Sequence, residues 1–570
     1  MGRGWTLFVL GWALVFGGGF LADKIQTAGG IRVEDVRFTG TGGTPMSGLL
    51  YLPPNATPQS RAPGILAVHG YINSRETQDG FAIAFARAGY VVLALDQTGH
   101  GYSGGSVRAN GYGGPDGLKY LRGLDMVDPD NIGLEGHSMG GWAVLSAAKA
   151  QPSGYKAMVL EGSATGVGAR SATPASAPGS PDFPKNLGVV YSRYDEFAPL
   201  MWEIPHAEDV GRSGKLIALF GAGGPVSPGE LYGSIAAGNA RQLYIPATTH
   251  PGDHISPQAV GDAVDWFGKT LKGGTHAAYD GSWLWKEIGT LIAFAGFVLL
   301  MLGAFDLYLG LPAFSGLVQA PDPACERRGA RWWTLLAATA LIPVATFYPF
   351  LHAGAWALPP SRIFPQSVTN QLMVWALLNG AITLIASLLL RAPKVRFNLR
   401  WGASAGIAIL TVATGYLALL VSDFMFKIDF RFWVVALKLL SARQFGWFLV
   451  YLVPFTLFYV VVMSALHASL AVKGDGPARQ YATALGALAG GFLLFLIAEY
   501  APLFAYDELL VPAEALNAII SIQFLPLTAI LAVIAVFTWR RTNSYLPGAF
   551  ICGLFVTWYI VAGTAVQFAG

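Results

Sequence analysis

From residue 288 onward the chain is a series of long apolar runs with short polar breaks, near 288–308, 332–352, 370–390, 401–422, 446–467, 481–503, 515–538 and 546–567. About 20 apolar residues in a helix reach across about 30 Å of hydrocarbon, and a helix satisfies its own backbone hydrogen bonds in lipid. Each run therefore predicts a membrane span. A ninth run, 5–22, follows Arg3 and precedes Asp23 and Lys24. It ends Gly-Phe-Leu-Ala, with bulky Phe20 where a cleavage site requires a small residue, so it reads as a retained anchor rather than a signal peptide. Composition agrees: 12% of the 570 residues are charged and 53% apolar, whereas about a quarter are charged in ordinary soluble domains.

Short cytoplasmic loops are enriched in arginine and lysine. If nine spans alternate, Arg3, then Arg327, Arg328 and Arg331, then Arg391, Lys394, Arg396 and Arg400, then Lys473 and Arg479, then Arg540 and Arg541 share one side. Asp507, Glu508 and Glu514 fall opposite. The loop 423–445 departs from the rule, since Lys427, Arg431, Lys438 and Arg443 lie on the outer side, and 430–440 reads as an interfacial or re-entrant helix. The expectation is a multi-pass protein of the cell membrane, in contact with membrane lipids, with residues 23–280 extracytoplasmic.

Residues 31–275 read differently. Short apolar runs bounded by turn residues predict strands at 32–38, 46–52, 64–68, 90–95, 131–134, 157–160, 187–191 and 242–245. The first two suit an antiparallel hairpin. From residue 64 strands alternate with helical stretches at 80–88, 118–124 and 139–150, the pattern of a doubly wound α/β domain with a mostly parallel sheet. The expected organisation is an anchor over 1–24, an α/β domain over 25–272, a linker with an interfacial helix over 273–287, and an all-α transmembrane bundle of about eight helices over 288–570. A net charge of +3 with no basic tract sets nucleic-acid binding aside. Cys325 and Cys552, in a loop and a span, are not expected to form a disulfide.

In a doubly wound sheet the site lies beyond the carboxyl ends of the strands. Gly-x-Ser-x-Gly occurs three times, centred on Ser103, Ser138 and Ser404. The pattern carries chemistry only where a strand runs through a tight turn into a helix, which lifts the hydroxyl clear of the backbone. Ser138 has that context, with a strand before it and 139–150 after it. Ser103 follows a strand within a glycine-rich loop, and Ser404 lies in a predicted span, where small residues serve helix packing.

Three motifs in order resemble the α/β-hydrolase family over residues 31–272. Ala67-Val68-His69-Gly70-Tyr71 is similar to its oxyanion loop, the Asp96 to Ser103 stretch to its Asp-x-x-Gly-x-Gly-x-Ser loop, and Gly136-His137-Ser138-Met139-Gly140 to its nucleophile elbow. The resemblance implies that the Tyr71 and Met139 amides stabilise an oxyanion, while His69 and His100 pack their loops. Asp195 resembles the family acid by its offset from the strand before it, with Glu196 as the alternative. Gly252-Asp253-His254 resembles the step that carries the family base, which favours His254, with His250 as the alternate base. Chain order Ser, Asp, His also fits this family.

The implied activity is a serine esterase, lipase or related acyl hydrolase acting through an acyl-enzyme on a small-molecule or lipid-like acyl substrate. A serine peptidase or acyltransferase on the same triad is one alternative. A transporter or sensor with a ligand-binding hydrolase-like domain is another. No cofactor is implied, and no metal: His250 and His254 have His-x-x-x-His spacing, but Pro251 and Gly252 argue against the helix that would align them. The stretch 166–185 is too short for a large helical lid, whereas 198–238 is long enough to cover the site. Asp306, Glu499 and His467 fall near span ends and read as structural.

Overall fold

The computed structural model describes residues 2–167, 175–274, 279–390 and 395–568. A nine-stranded sheet is built from β1 (Arg32–Thr39), β2 (Pro45–Leu52), β3 (Ala62–Val68), β4 (Val91–Asp96), β5 (Val127–His137), β6 (Ala157–Glu161), β7 (Leu187–Val190), β8 (Leu231–Tyr232) and β9 (Arg241–Tyr244), in the order β1-β2-β4-β3-β5-β6-β7-β9-β8. β1 and β2 form the expected hairpin, β2 lies antiparallel to β4, and the run from β4 to β9 is parallel. The two-residue β8, antiparallel to β9 at the far edge, has no counterpart in the sequence reading.

Strands buried on both faces read as unbroken apolar runs, and β3 and β4 are buried throughout. Leu66 and Val68 of β3 join a core with Leu118 and Leu121 of the helix Gly114–Arg122 and Val144 of the helix Met139–Ala150. Ile65 and Ala67 point the other way, into a core with Phe81 and Phe85 of the helix Asp79–Arg87 and Trp266 of the helix Pro257–Thr270. Period-two alternation on a central strand thus makes the two layers.

Among the described residues seven helices are long and apolar enough to cross a membrane, or nine if each of two bent pairs makes one span. The bent pairs are Ala330–Ala345 with Phe347–Ala357, at 50°, and Pro477–Leu488 with Gly490–Tyr506, at 47°. The remaining C-terminal helices are Leu284–Tyr308, Ser367–Leu389, Trp401–Phe426, Ala442–Leu470, Ala515–Thr542 and Leu546–Gly563. The helix Arg3–Gln26 packs along Leu284–Tyr308 through small residues that let the backbones approach. A Cβ on Gly18 would lie 2.4 Å from the Gly289 carbonyl oxygen, and one on Gly296 would lie 2.7 Å from the Val15 nitrogen. Asp306 pairs with Arg541, Glu499 accepts hydrogen bonds from the Tyr348 hydroxyl (2.9 Å) and the Val511 amide (3.2 Å), and His467 stacks on Trp539 at 4.8 Å.

Two expectations differ from the structure. In the linker, residues 273, 274 and 279–283 are non-helical, and 284–287 already form the start of the membrane-length helix Leu284–Tyr308 rather than a separate interfacial helix. The 430–440 segment is a two-stranded hairpin, Phe430–Phe432 against Val435–Leu437, turning at Trp433 with φ +54°. Two of the loop's four cations are buried: Arg431 and Lys438 are 2% and 8% exposed. Arg431 bonds Asp429 and the Thr77 hydroxyl and lies 3.9 Å from Glu76. A cation spent on a neighbouring domain is not available to report topology. Arg391 and Lys394, part of the charge count, lie outside the described residues.

Candidate active site

β5 ends at His137 and the helix Met139–Ala150 starts one residue later, so the whole reversal falls on Ser138, at φ 54° and ψ −121°. A Cβ on Gly140 would lie 2.0 Å from the Val68 carbonyl oxygen, and one on Gly136 2.4 Å from the Gly140 carbonyl carbon. The turn therefore closes only with glycine at both places, and the serine side chain is left standing outward. The other two candidates are spent structurally. Ser103 Oγ donates to the Asp96 carbonyl (2.8 Å) and accepts the Ser47 amide (3.0 Å), while Ser404 is buried inside the helix Trp401–Phe426.

Asp195 follows β7. Its Oδ2 lies 2.8 Å from His250 Nδ1, and its Oδ1 accepts the Phe197 amide at 2.8 Å. Neighbouring Glu196 faces the backbone instead, accepting the His250 amide through Oε2 (2.8 Å) and the Tyr500 hydroxyl through Oε1 (3.1 Å). The two carboxylates thus hold one histidine by ring and by main chain.

The sequence preference for His254 as base is not what this geometry favours. His137 Nε2 lies 3.0 Å from the His250 carbonyl, so it must carry a proton, and His137 Nδ1 is then the acceptor. His254 Nε2, 3.2 Å from that Nδ1, is therefore a donor. The His254 Nδ1 is buried with no hydrogen-bond partner among the described residues, so no carboxylate orients that ring. His250 precedes and His254 lies within a short 3₁₀ turn, Pro251–Ile255, which Pro251 and Gly252 permit although they disfavour an α-helix. That turn sends the two rings different ways.

The Tyr71 and Met139 amides have no hydrogen-bond partner among the described residues, and both residues line the cavity above Ser138. His69 and His100 are locked in their loops. The Gln97 amide donates to His69 Nε2 (3.2 Å) and the Ile72 amide to His100 Nε2 (3.3 Å), leaving each Nδ1 to donate to a carbonyl, Gly70 (2.7 Å) and Thr98 (3.1 Å) respectively. Gly162, at φ +50°, backs the Asp195–His250 pair, and a Cβ there would come within 2.8 Å of His250 Nδ1.

Burial pushes the pKa of His250 down, but Asp195 foremost, then Glu196 and Asp253, outweigh it and leave the value raised above 6.5. Burial, reinforced by His137 and His250, holds His254 well below 6.5. Glu196, buried beside Asp195, is raised to about 7. A base acts only when unprotonated, so any reaction that uses His250 as its base is expected to speed up with pH along a limb centred above about 6.5. In Asp195→Asn that limb should move to lower pH, and a pH–rate profile of both proteins checks it.

Ser138, His250 and the Tyr71 and Met139 positions line one cavity of about 330 Å³. Ser138 Oγ and His250 Nε2 make no hydrogen bond to each other, and in such sites that contact commonly tightens only as substrate enters. Residues 59–186 match the sequence profile of the serine aminopeptidase family, S33. This part of the chain is an α/β-hydrolase domain. The match takes in the oxyanion loop and the elbow but ends before Asp195 and His250. No curated protein matches the chain. Among solved structures, an esterase of Pyrococcus furiosus is 19% identical, with a TM-score of 0.30 over 43% of this chain and 94% of that one. A predicted CIB-like hydrolase of Thermoplasma acidophilum is 16% identical, with a TM-score of 0.29 over 42% and 98%.

The α/β-hydrolase domain does not roof its own site. Phe197, together with Leu200 and Met201 from the stretch expected to cover it, supplies one wall. The bundle adds Trp433 and Val434 of the hairpin turn, Leu516, Ile519 and Gln523 of the helix Ala515–Thr542, and Gln567. Trp433 Nε1 donates to the Pro251 carbonyl (2.6 Å), and Gln567 donates to the Tyr71 hydroxyl (2.7 Å). The roof is therefore bonded to the loop that follows His250 and to the loop that carries Tyr71. Nothing in the sequence signalled it, since these residues are single positions far along the chain.

Proposed function

We propose that the protein is a membrane-embedded serine hydrolase that cleaves an ester or related acyl bond of a lipid-like substrate, with Ser138 as nucleophile, His250 as base and Asp195 as its orienting acid. The observation that carries this reading is the Asp195–His250 hydrogen bond, which fixes the imidazole in the cavity over which Ser138 is raised. Ser138 Oγ attacks the acyl carbon as its proton passes to His250 Nε2, and the oxyanion is stabilised by the Tyr71 and Met139 amides. Collapse breaks the ester C–O bond, and the leaving alcohol takes that proton. Water then adds its oxygen to the acyl carbon and gives a proton to His250. The Ser138–acyl bond breaks, Ser138 recovers the proton, and a carboxylic acid leaves.

The reading places the hydrolase domain outside the cytoplasm. Leu516, at the start of the helix Ala515–Thr542, lines the Ser138 cavity, whereas Arg540 and Arg541 close its other end. Over 20 residues separate them, roughly the thickness of the hydrocarbon core at 1.5 Å per residue. The basic end is the one expected to face the cytoplasm.

A serine peptidase is the second reading, favoured by the aminopeptidase profile that residues 59–186 match. An alkyl fluorophosphonate is expected to label the purified full chain once, with the adduct on the peptide that holds Ser138. Folded protein that takes up no label at any serine would defeat both readings and leave a binding or transport role. Turnover of lipid esters set against aminoacyl amides then separates esterase from peptidase.

A further inference from the structure

A second cavity, of about 230 Å³, lies within the bundle, and it shares four wall residues with the Ser138 cavity: Ile72, Asn73, Val434 and Gln523. The two spaces adjoin at those residues. From there the bundle cavity follows the whole helix Ser367–Leu389, from Val368 past Trp375, Asn379 and Ala386 to Leu390. That is roughly 30 Å at 1.5 Å per residue, comparable with the hydrocarbon thickness. We propose that this cavity is the acyl-chain site of the enzyme: the substrate is a long-chain acyl ester whose carbonyl rests at Ser138 and whose chain passes between Ile72 and Val434 into the bundle. The proposal rests on the serine-hydrolase reading and names its substrate class.

The chemistry of the walls selects an apolar chain over a polar solute. Phe458, Met463, Phe492, Phe524 and Leu527 line the cavity. Four of its hydroxyls are spent on their own helices. Thr339 donates to the Leu335 carbonyl (2.8 Å), Thr383 to Asn379 (2.9 Å), Ser387 to Thr383 (2.7 Å) and Thr528 to Phe524 (2.6 Å). Asn379 donates to the Thr346 hydroxyl (3.1 Å) and the Trp375 carbonyl (3.0 Å). A polar solute or a file of water needs free donors and acceptors along its path, and these walls have already used most of theirs. The cations on the wall sit at its two ends. Lys438 is at the hydrolase end, attracted by Glu76 and Asp429, and Arg331 is beside the Leu390 carbonyl at the other. Between them a methylene chain loses nothing and buries apolar surface.

The test uses the full chain in lipid nanodiscs and a hexadecyl fluorophosphonate with a diazirine at the chain end, bonded to Ser138 and then photolysed. Crosslinks to the helices Ser367–Leu389 and Ala442–Leu470 are expected. Crosslinks confined to Phe197, Leu200 and Met201, or to lipid, overturn the proposal while leaving the serine-hydrolase reading intact, and absence of any adduct overturns both. Independently, Ala386→Trp and Ala465→Trp fill the cavity. Each is expected to lower the ratio of kcat/KM for p-nitrophenyl palmitate over butyrate by about tenfold, the scale at which overfilling a packed apolar site is felt. A ratio unchanged in both variants overturns the proposal.

Discussion

Replacing His250 by alanine is expected to lower kcat/KM for a short p-nitrophenyl ester by roughly 10⁴ to 10⁶-fold, as removal of one member of a catalytic unit commonly does. His254→Ala should cost no more than about tenfold. The contrast follows from what each ring is bonded to. Asp195 Oδ2 holds His250 Nδ1 at 2.8 Å and Glu196 holds its amide at 2.8 Å, so the ring keeps a lone pair on Nε2 and is stabilised when it takes a proton. His254 gives its Nε2 proton toward His137, at 3.2 Å, and packs edge-on to Phe81 at 6.2 Å. Its loss removes a support of the elbow, not the base. Ser138→Ala should match His250→Ala in size, because the two act as one unit, and the double variant should be little worse than either. Steady-state kinetics of the four proteins decide it. An inactive His254→Ala beside an active His250→Ala would reverse the assignment.

The elbow was legible because all of its determinants are local: a strand, a serine between two glycines, and a helix within about twenty residues. The parallel sheet was legible for a similar reason, since buried strands such as β3 and β4 leave unbroken apolar runs between turn residues. The choice of base was not local. It depends on which way two rings four residues apart are turned, and that is set by His137, 117 residues away from His254, and by a 3₁₀ turn whose sequence argues only against an α-helix. The Phe430–Leu437 hairpin was read as a helix because it lies between spans. Its aromatic and β-branched residues, Phe430, Phe432, Trp433, Val434 and Val435, were a strand signal in plain view. The roof left no trace at all, because Gln567 and Trp433 acquire their roles only once the bundle is docked on the hydrolase domain.

That docking carries the second large effect. Arg431→Leu is expected to destabilise the protein by about 3–5 kcal/mol, the cost of leaving buried charge uncompensated. Arg431 bonds Asp429 through Nε (2.7 Å), donates to the Thr77 hydroxyl (3.0 Å) and stands 3.9 Å from Glu76. Burial by itself would raise the Glu76 carboxyl, but Arg75 and then Arg431 outweigh it and hold the group well below 4.5. A carboxyl lowered in the fold contributes stability above its unfolded value and loses it as pH falls. The wild type should therefore lose stability on acidification below about pH 4.5, and Arg431→Leu should lose less, having given up part of that contribution already. Removing the opposing charge as well, in Arg431→Leu with Asp429→Leu, should recover part of the loss, since a buried pair replaced by apolar residues is often close to neutral. Thermal unfolding in detergent of the wild type, Arg431→Leu, Asp429→Leu and the double variant measures it, and a double variant as unstable as the sum of its two single variants would refute the pairing. The same lesion should reach catalysis. Trp433, two residues on, donates through its indole to the Pro251 carbonyl (2.6 Å) and through its amide to Glu287 (3.2 Å), so a loosened hairpin frees the loop that aims His250. In Arg431→Leu that remains folded, kcat should fall while the acid limb of the pH profile, set by Asp195, stays in place.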